Sequence, residues 1–181
     1  MGTELGLYLV LGITATFVVL HSFLLLALTR AVHELRLELG VSGVETAFAP
    51  GSEAPAFSGA DIHGASFSSS ELVGRPTALL FISAGCDSCA TTLEETQALG
   101  IKARGAVVVV CRGTTSSCAE VASTYSLPGP VIADVDGSIG GLYSISKFPT
   151  AVLIDRRGRI RTHGSPRREE IVAVVEEQSA L

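Results

Sequence analysis

The chain has 181 residues and a net charge of -5, so its overall charge gives no reason to expect binding to nucleic acid or attraction to anionic lipid. Its length allows one ordinary domain and an additional segment. The hydrophobic fraction of 47% is high for a soluble protein, and the four cysteines are an even number that is compatible with disulfides.

The first predicted element is a transmembrane helix over residues 5–29, which include no Asp, Glu, Lys or Arg. A helix of this length would extend roughly 37 Å, more than the apolar thickness of a bilayer. A cleavable signal peptide is the alternative, but the run is long, lacks a basic leader and is not closely followed by an Ala-x-Ala site. We therefore expect a retained single-pass anchor in the inner (plasma) membrane, then a juxtamembrane helix and linker over residues 30–52.

The charges that flank this span favour a cytoplasmic domain. Glu4 is the only charged side chain before the span, whereas Arg30 and Arg36 follow it. Basic residues are enriched on the cytoplasmic side of a membrane. The signal is weak, because Glu34 and Glu38 alternate with the two arginines.

Residues 53–181 have the length of a single domain and alternate between apolar runs and helical patterns. A β-hairpin is predicted over residues 56–67. The predicted strands are 78–82, 106–111, 131–133, 150–154 and 159–162, and the predicted helices are 90–99, 118–125, 138–143 and 167–178. Apolar strands separated by helices predict parallel βαβ units, and therefore an α/β domain.

Two helix starts have recognisable capping residues. Ser116 or Ser117 is expected to cap the helix over 118–125, because serine side chains accept from the free N–H groups of a first turn. Ser165 is expected to cap the closing helix, with Pro166 at its first position.

A Cys-x-x-Cys motif lies between the strand over 78–82 and the helix over 90–99. The two intervening residues allow Cys86 and Cys89 to close a disulfide within the first helical turn. The N-terminus of the helix would stabilise a thiolate at Cys86, which predicts that Cys86 is the nucleophile and that Cys89 resolves the mixed disulfide. A structural zinc site would need two further ligands at similar spacing, and none pairs convincingly. We therefore predict redox chemistry with neither a metal nor a dissociable cofactor.

The hairpin, the G-C-D-S-C-A motif over residues 85–90 and the K-F-P-T-A-V-L-I-D-R-R-G-R-I segment over 147–160 together resemble bacterial membrane-anchored thioredoxin-like proteins. These are the thiol–disulfide oxidoreductases of cytochrome c maturation and related pathways. The A-P-G-S-E-A-P-A-F entry and the closing G-x-x-x-R-E-E-I helix are most similar to the methylamine-utilisation accessory proteins, which are thought to assist disulfide formation in a dehydrogenase subunit. The resemblance implies a thioredoxin-like fold with an N-terminal β-hairpin extension, preceded by a single transmembrane helix.

The resemblance also implies a substrate-binding loop. Pro149 matches the proline whose preceding peptide bond is cis, and it would hold the backbone of Phe148 facing the disulfide, where that backbone can pair with a substrate strand. Asp87 and Ser88, between the two cysteines, complete the expected substrate contacts.

The motif departs from the family pattern at three places. Gly85 replaces a common tryptophan, and Asp87-Ser88 replaces a dipeptide that often has proline. Leu80 replaces the buried acid of thioredoxin, which leaves open the group that relays protons to Cys89. The negative charge of Asp87 would disfavour a nearby thiolate, and so it favours a more reducing potential.

A second pair of cysteines is predicted near the first. Cys111 ends a strand parallel to the strand that leads to Cys86, so both should emerge at one edge of the sheet. Cys111 and Cys118 could form a local disulfide, remain as buried free thiols, or relay electrons to and from Cys86 and Cys89. A disulfide would need an oxidising compartment, which favours an extracytoplasmic domain over the charge rule.

The expected function is disulfide exchange between Cys86 and Cys89 and an extracytoplasmic substrate protein that carries a disulfide or dithiol. A membrane electron-transfer partner would renew the pair. The first alternative is a peroxiredoxin-like peroxidase, whose Pro-x-x-x-Thr-x-x-Cys motif is matched only by Ser83, with Leu79 in place of proline. The second is a copper-binding chaperone that would use both thiolates and a histidine such as His163.

Overall fold

The structure, a computed structural model, describes residues 12–14, 16–26, 30 and 48–180. The chain divides into two units, Met1–Glu45 and Thr46–Leu181. The described residues of the first unit are helical, and their apolar side chains are exposed. The rest of the predicted anchor over 5–29, and residues 31–47 of the predicted juxtamembrane segment, lie outside the described residues. Within the part of the chain that the structure describes, no helix combines the length and apolar character required to cross a bilayer.

The second unit is an α/β domain whose elements follow the predicted order. Its strands are β1 Ser58–Ala60, β2 Ser66–Ser68, β3 Thr77–Ser83, β4 Val107–Arg112, β5 Val131–Asp134, β6 Thr150–Ile154 and β7 Ile160–Gly164. Its helices are α1 Ala90–Leu99, α2 Thr115–Thr124, α3 Ser138–Leu142 and α4 Arg168–Ser179. Strands β1 and β2 form the predicted hairpin as a separate sheet.

The main sheet has the strand order β5-β4-β3-β6-β7. Strands β3, β4 and β5 are parallel, whereas β6 is antiparallel to β3 and β7 is antiparallel to β6. The carboxyl ends of β3 and β4 and the amino end of β6 therefore lie at the same edge of the sheet. That edge is where the cysteine motif leaves β3.

Strand β3 is the middle strand of the main sheet, and both of its faces are covered. Leu80 and Ile82 belong to one hydrophobic cluster, which also includes Cys89 and residues of α4, whereas Leu79 and Phe81 belong to a second cluster on the other face. Each of these four apolar side chains is at most 1% exposed. Burial on both faces explains why the strand reads as an uninterrupted apolar run rather than an alternating one.

Tyr143 anchors the second cluster. Its ring is fully buried against Phe81 and Phe57, and its hydroxyl donates to the carbonyl oxygen of Pro55 at 2.8 Å. Burial raises the pKa of this phenol, so the hydroxyl keeps its proton and the bond to Pro55.

The two predicted capping positions were wrong. Helix α2 begins at Thr115, and its cap is Thr114, whose hydroxyl accepts from the N–H of Ser117 at 3.2 Å. Helix α4 begins at Arg168 and has Arg167 at its cap position, without a side-chain cap. The backbone of Arg167 is still extended, so the helix starts after Ser165 and Pro166 rather than at them.

The packing of the domain begins before residue 53, the predicted boundary. The ring of Phe48 lies 5.9 Å from that of His163 and 6.2 Å from that of Tyr143. The N–H of Gly51 donates to the carbonyl of Ile160 at 2.7 Å, and Ile160 donates back to Ser52 at 2.8 Å. The last residues of the predicted linker are therefore bound along the start of β7.

Candidate active site

The Cys-x-x-Cys motif occupies a sharp turn between β3 and α1. Gly85 has a φ of +81°, in the left-handed region that favours glycine over residues with a side chain. Cys86 then opens a 3-10 turn over Asp87–Cys89 that runs directly into α1. The N–H of Cys86 donates to the carbonyl of Ser83 at 3.1 Å, so the turn is tied to the end of the strand.

Cys86 and Cys89 form a disulfide, with their Cα atoms 5.4 Å apart. Cys86 is half-buried, whereas Cys89 is only 1% exposed. An incoming sulfur can therefore reach Cys86 more easily than Cys89. This asymmetry fits a nucleophilic sulfur at the surface and a resolving sulfur beneath it.

The loop before β6 lies against this disulfide. The Phe148–Pro149 peptide bond is cis, as the resemblance implied. Thr150 begins β6 opposite Phe81 of β3, and its hydroxyl donates to the carbonyl of Lys147 at 2.7 Å, which holds the loop to its own strand. Phe81 and Thr150 are far apart in the sequence and are thus brought together as neighbours on adjacent strands.

Ser88 connects the two parts of the site. Its hydroxyl donates to the carbonyl oxygen of Phe148 at 3.2 Å, and the hydroxyl oxygen of Ser88 also lies 3.3 Å from Sγ of Cys86. The structure therefore brings together Cys86, Ser88, Phe148 and the adjoining Pro149, while Asp87 is exposed beside them. The sequence suggested a substrate contact for Ser88 but held no sign of its bond to Phe148, because that bond depends on the fold.

Cys111 and Cys118 form a second disulfide, the first of the three states that the sequence allowed. Neither residue is exposed, and Cys111 lies beside Ile82 in the sheet. The disulfide closes the turn between β4 and α2, and it shares a hydrophobic cluster with Cys89.

The turn that this second disulfide closes supports the strand end that leads to Cys86. The N–H of Ala84 donates to the carbonyl of Arg112 at 2.9 Å. A methyl group added to Gly113 would lie 3.0 Å from the side chain of Ala84, so the two segments are in close contact. The position of Ala84, two residues before Cys86, is thus fixed in part by the β4–α2 turn.

The same edge carries an acidic and basic pair next to the second disulfide. The guanidinium of Arg112 packs directly on Gly137, where a side chain would collide with it. It is also close enough to Asp136 for the two charges to attract each other. The backbone N–H of Ser138 lowers the pKa of Asp136, and Arg112 adds to that effect. The buried carboxylate of Asp134 accepts from the N–H groups of Ile139 and Gly140 at 3.0 and 2.9 Å, which fixes the start of α3.

The structure does not bring His163, the histidine of the copper alternative, to the cysteines. His163 pairs with Val152 in the sheet and packs with Phe48 and Tyr143 on the opposite face from Cys89. Its Nε2 lies 2.8 Å from the carbonyl oxygen of Tyr143. Among the residues that the structure describes, no group of three or more His, Cys, Asp or Glu residues could hold a metal ion.

The sequence of this chain is similar to those of known proteins. The profile of the AhpC/TSA family matches residues 50–163. The chain is 28% identical over 135 residues to methylamine utilization protein MauD of Methylobacillus flagellatus, an alignment that covers 74% of this chain and 65% of that protein. The chain thus spans less than two thirds of the length of this relative.

Solved structures show the same fold. A thiol:disulfide interchange protein DsbE from Chlorobium tepidum has a TM-score of 0.62 at 22% identity, with 74% of this chain and 97% of the other covered. The thioredoxin domain of a thiol-disulfide oxidoreductase from Bacteroides vulgatus has a TM-score of 0.59 at 25% identity, with 71% and 96% covered. These likenesses confirm the predicted thioredoxin-like α/β fold.

Proposed function

The chain belongs to the AhpC/TSA family, and we propose that it is a thiol–disulfide oxidoreductase that exchanges disulfides with a substrate protein through Cys86 and Cys89. One observation carries this proposal: a half-buried Cys86 is bonded to a buried Cys89, beside the cis peptide that precedes Pro149. The relatives named for disulfide interchange and methylamine utilization support the same reaction class.

The exchange requires only the two sulfurs and a substrate. In the oxidising direction, a substrate thiolate attacks Sγ of Cys86, the Cys86–Cys89 bond breaks, and Cys89 leaves as a thiolate. A second substrate thiolate then attacks the substrate sulfur of this mixed disulfide, and Cys86 leaves as a thiolate. The substrate loses two electrons and the protein gains them. In the reducing direction, the Cys86 thiolate attacks the substrate disulfide and Cys89 resolves the intermediate.

The two cysteines perform the exchange, and the loop over Phe148 and Pro149 would bind the backbone of the substrate. The carbonyl of Phe148 lies close enough to contact Ser88, which itself contacts Cys86. An extended substrate segment that pairs with Phe148 would thus place its own sulfur near Cys86. Ser88 and the exposed Asp87 would meet the residues that flank that sulfur.

We further propose that residues 5–29 anchor the domain in the inner membrane and that the domain faces the extracytoplasmic side. The apolar run supports the anchor, and the Cys111–Cys118 disulfide supports an oxidising compartment. The substrate class is then an exported protein with disulfides, such as a disulfide-rich dehydrogenase subunit or an apocytochrome c. A membrane electron-transfer partner would restore the Cys86–Cys89 pair after each cycle.

A turnover assay tests the reaction class. The full chain, purified in mild detergent, is expected to catalyse the reduction of insulin by dithiothreitol. A Cys86→Ala/Cys89→Ala variant should be inactive. A Cys111→Ala/Cys118→Ala variant, assayed at a temperature at which circular dichroism shows it folded, should retain turnover because both reacting sulfurs are present. Peroxide consumption without insulin reduction would favour the peroxidase alternative, and copper(I) binding without either activity would favour a chaperone.

A labelling experiment tests the orientation. Intact cells are treated with a reductant that does not cross membranes and then with an equally impermeant maleimide. Modification of Cys86 on intact cells would support an extracytoplasmic domain. Modification only after lysis would instead support the cytoplasmic side that the flanking charges favour.

A further inference from the structure

Ser88 lies between two groups that would act on a substrate in different ways. Its oxygen is 3.2 Å from the carbonyl oxygen of Phe148 and 3.3 Å from Sγ of Cys86. A serine hydroxyl has a single hydrogen to donate. The backbone carbonyl and the sulfur therefore compete for one hydrogen.

In the oxidised protein, the carbonyl of Phe148 is the better acceptor. The disulfide sulfur of Cys86 is neutral and accepts hydrogen bonds only weakly, whereas a backbone carbonyl is a strong acceptor. The distance of 3.2 Å is long for a hydroxyl–carbonyl bond, so the bond is weak and can be exchanged at little cost.

Reduction reverses this preference. A Cys86 thiolate, at the start of the 3-10 turn that leads into α1, would be an ionised acceptor, and hydrogen bonds to ionised groups are roughly twice as strong as neutral ones. Rotation of the hydroxyl hydrogen is enough to redirect it, because both acceptors already lie within reach of the same oxygen. The carbonyl of Phe148 would then be released.

We propose that Ser88 is a redox-dependent positioning residue. Its hydroxyl donates a hydrogen bond to the carbonyl of Phe148 in the oxidised protein and to the thiolate of Cys86 in the reduced protein. This inference rests on the proposed function, and it assigns Ser88 two effects. In the oxidised protein, Ser88 competes with a substrate N–H for the carbonyl of Phe148. In the reduced protein, it stabilises the thiolate of Cys86 and therefore the reduced state.

Replacement of Ser88 separates these effects from a general structural role. In the full-length Ser88→Ala protein, the pH midpoint for alkylation of reduced Cys86, followed by mass spectrometry of the Cys86 peptide, should rise by about one unit. The KM of the oxidised protein for a short dithiol peptide should fall two- to fivefold, on the order of one weak neutral hydrogen bond. The Ser88→Thr variant keeps the hydroxyl and should restore both values.

Ser83→Ala is the matched control, because the hydroxyl of Ser83 contacts the carbonyl of Arg112 at the same turn and not that of Phe148. This variant should leave the alkylation midpoint and the KM unchanged. Equal shifts in Ser83→Ala and Ser88→Ala, or no shift in Ser88→Ala, would overturn the inference. If the wild-type protein exchanges no disulfides, the proposed function fails, whereas the alkylation midpoint of Cys86 still decides whether Ser88 contacts the thiolate.

Discussion

Loss of the Cys111–Cys118 disulfide should destabilise the domain more than loss of the Cys86–Cys89 disulfide. The first closes a loop with a sequence separation of 7, and the second one with a separation of 3. In the chain-entropy account, each disulfide lowers the conformational entropy of the unfolded chain. The resulting stabilisation of the folded state is about 2.4 kcal/mol for Cys111–Cys118 and about 1.6 kcal/mol for Cys86–Cys89.

Burial increases the difference. Cys111 and Cys118 are both fully buried, so alanine at both positions removes two packed sulfur atoms, at a further cost of about 1 kcal/mol for each. At the other pair only Cys89 is buried to this degree. The expected losses in the free energy of unfolding are therefore about 4 kcal/mol for Cys111→Ala/Cys118→Ala and about 2.5 kcal/mol for Cys86→Ala/Cys89→Ala.

Urea unfolding of the full chain in mild detergent, followed by circular dichroism, measures both values. With a slope of about 2 kcal/mol per molar urea, the transition midpoints should fall by about 2 M and about 1.2 M respectively. Equal midpoints for the two variants, or a larger loss for Cys86→Ala/Cys89→Ala, would refute the claim that the second disulfide is the main covalent support of this domain.

Four further substitutions test the packing of the domain, each by urea unfolding. Gly129→Ala places a methyl group 2.2 Å from the carbonyl oxygen of Val107 and should cost about 2 kcal/mol or more, whereas Gly141→Ala meets nothing within 4 Å and should be neutral or slightly stabilising. Asp134→Ala leaves two N–H groups at the start of α3 without their acceptor and should cost about 2–3 kcal/mol. Glu177→Gln should cost only about 0.5 kcal/mol, because the ion pair of Glu177 is partly exposed. Arg161 lowers the pKa of Glu177 below its ordinary value of 4.5, so the stabilisation is present above pH 4.5 and the wild-type advantage should vanish as the pH falls through the lowered value.

The parts of the fold that depend on apolar patterning could be predicted from the sequence. The strand over 78–82 was recognised because burial on both faces demands a continuous apolar run, and it is the core of β3. The hairpin was recognised from turn chemistry, and Asp61 does accept the N–H groups of His63 and Ala65 within that turn.

The helix starts were harder to predict, because several neighbouring residues can act as caps. Thr114, Ser116 and Ser117 are all suitable cap residues, and the backbone geometry of Thr114 decides among them. At α4 the suitable side chain of Ser165 is not used, because the chain remains extended through Arg167.

The contacts of the site that cross the domain could not be predicted at all. The bond from Ser88 to Phe148 joins residues 60 positions apart, and no local pattern marks it. The state of Cys111 and Cys118 was open for a related reason, since their distance depends on how α2 packs on β4. The resemblance to a family supplied the cis bond before Pro149, which the residues themselves do not specify.

Trapping of the mixed disulfide tests most directly that Cys86 is the sulfur that reacts with the substrate. The full-length Cys89→Ser protein is reduced, mixed with a peptide that carries an activated disulfide, and digested under conditions that preserve disulfides. Mass spectrometry should find the peptide attached to Cys86, and a Cys86→Ser protein should not accumulate the adduct at Cys89 to a comparable level. Attachment mainly at Cys111 or Cys118, or equal trapping in the two variants, would contradict the account.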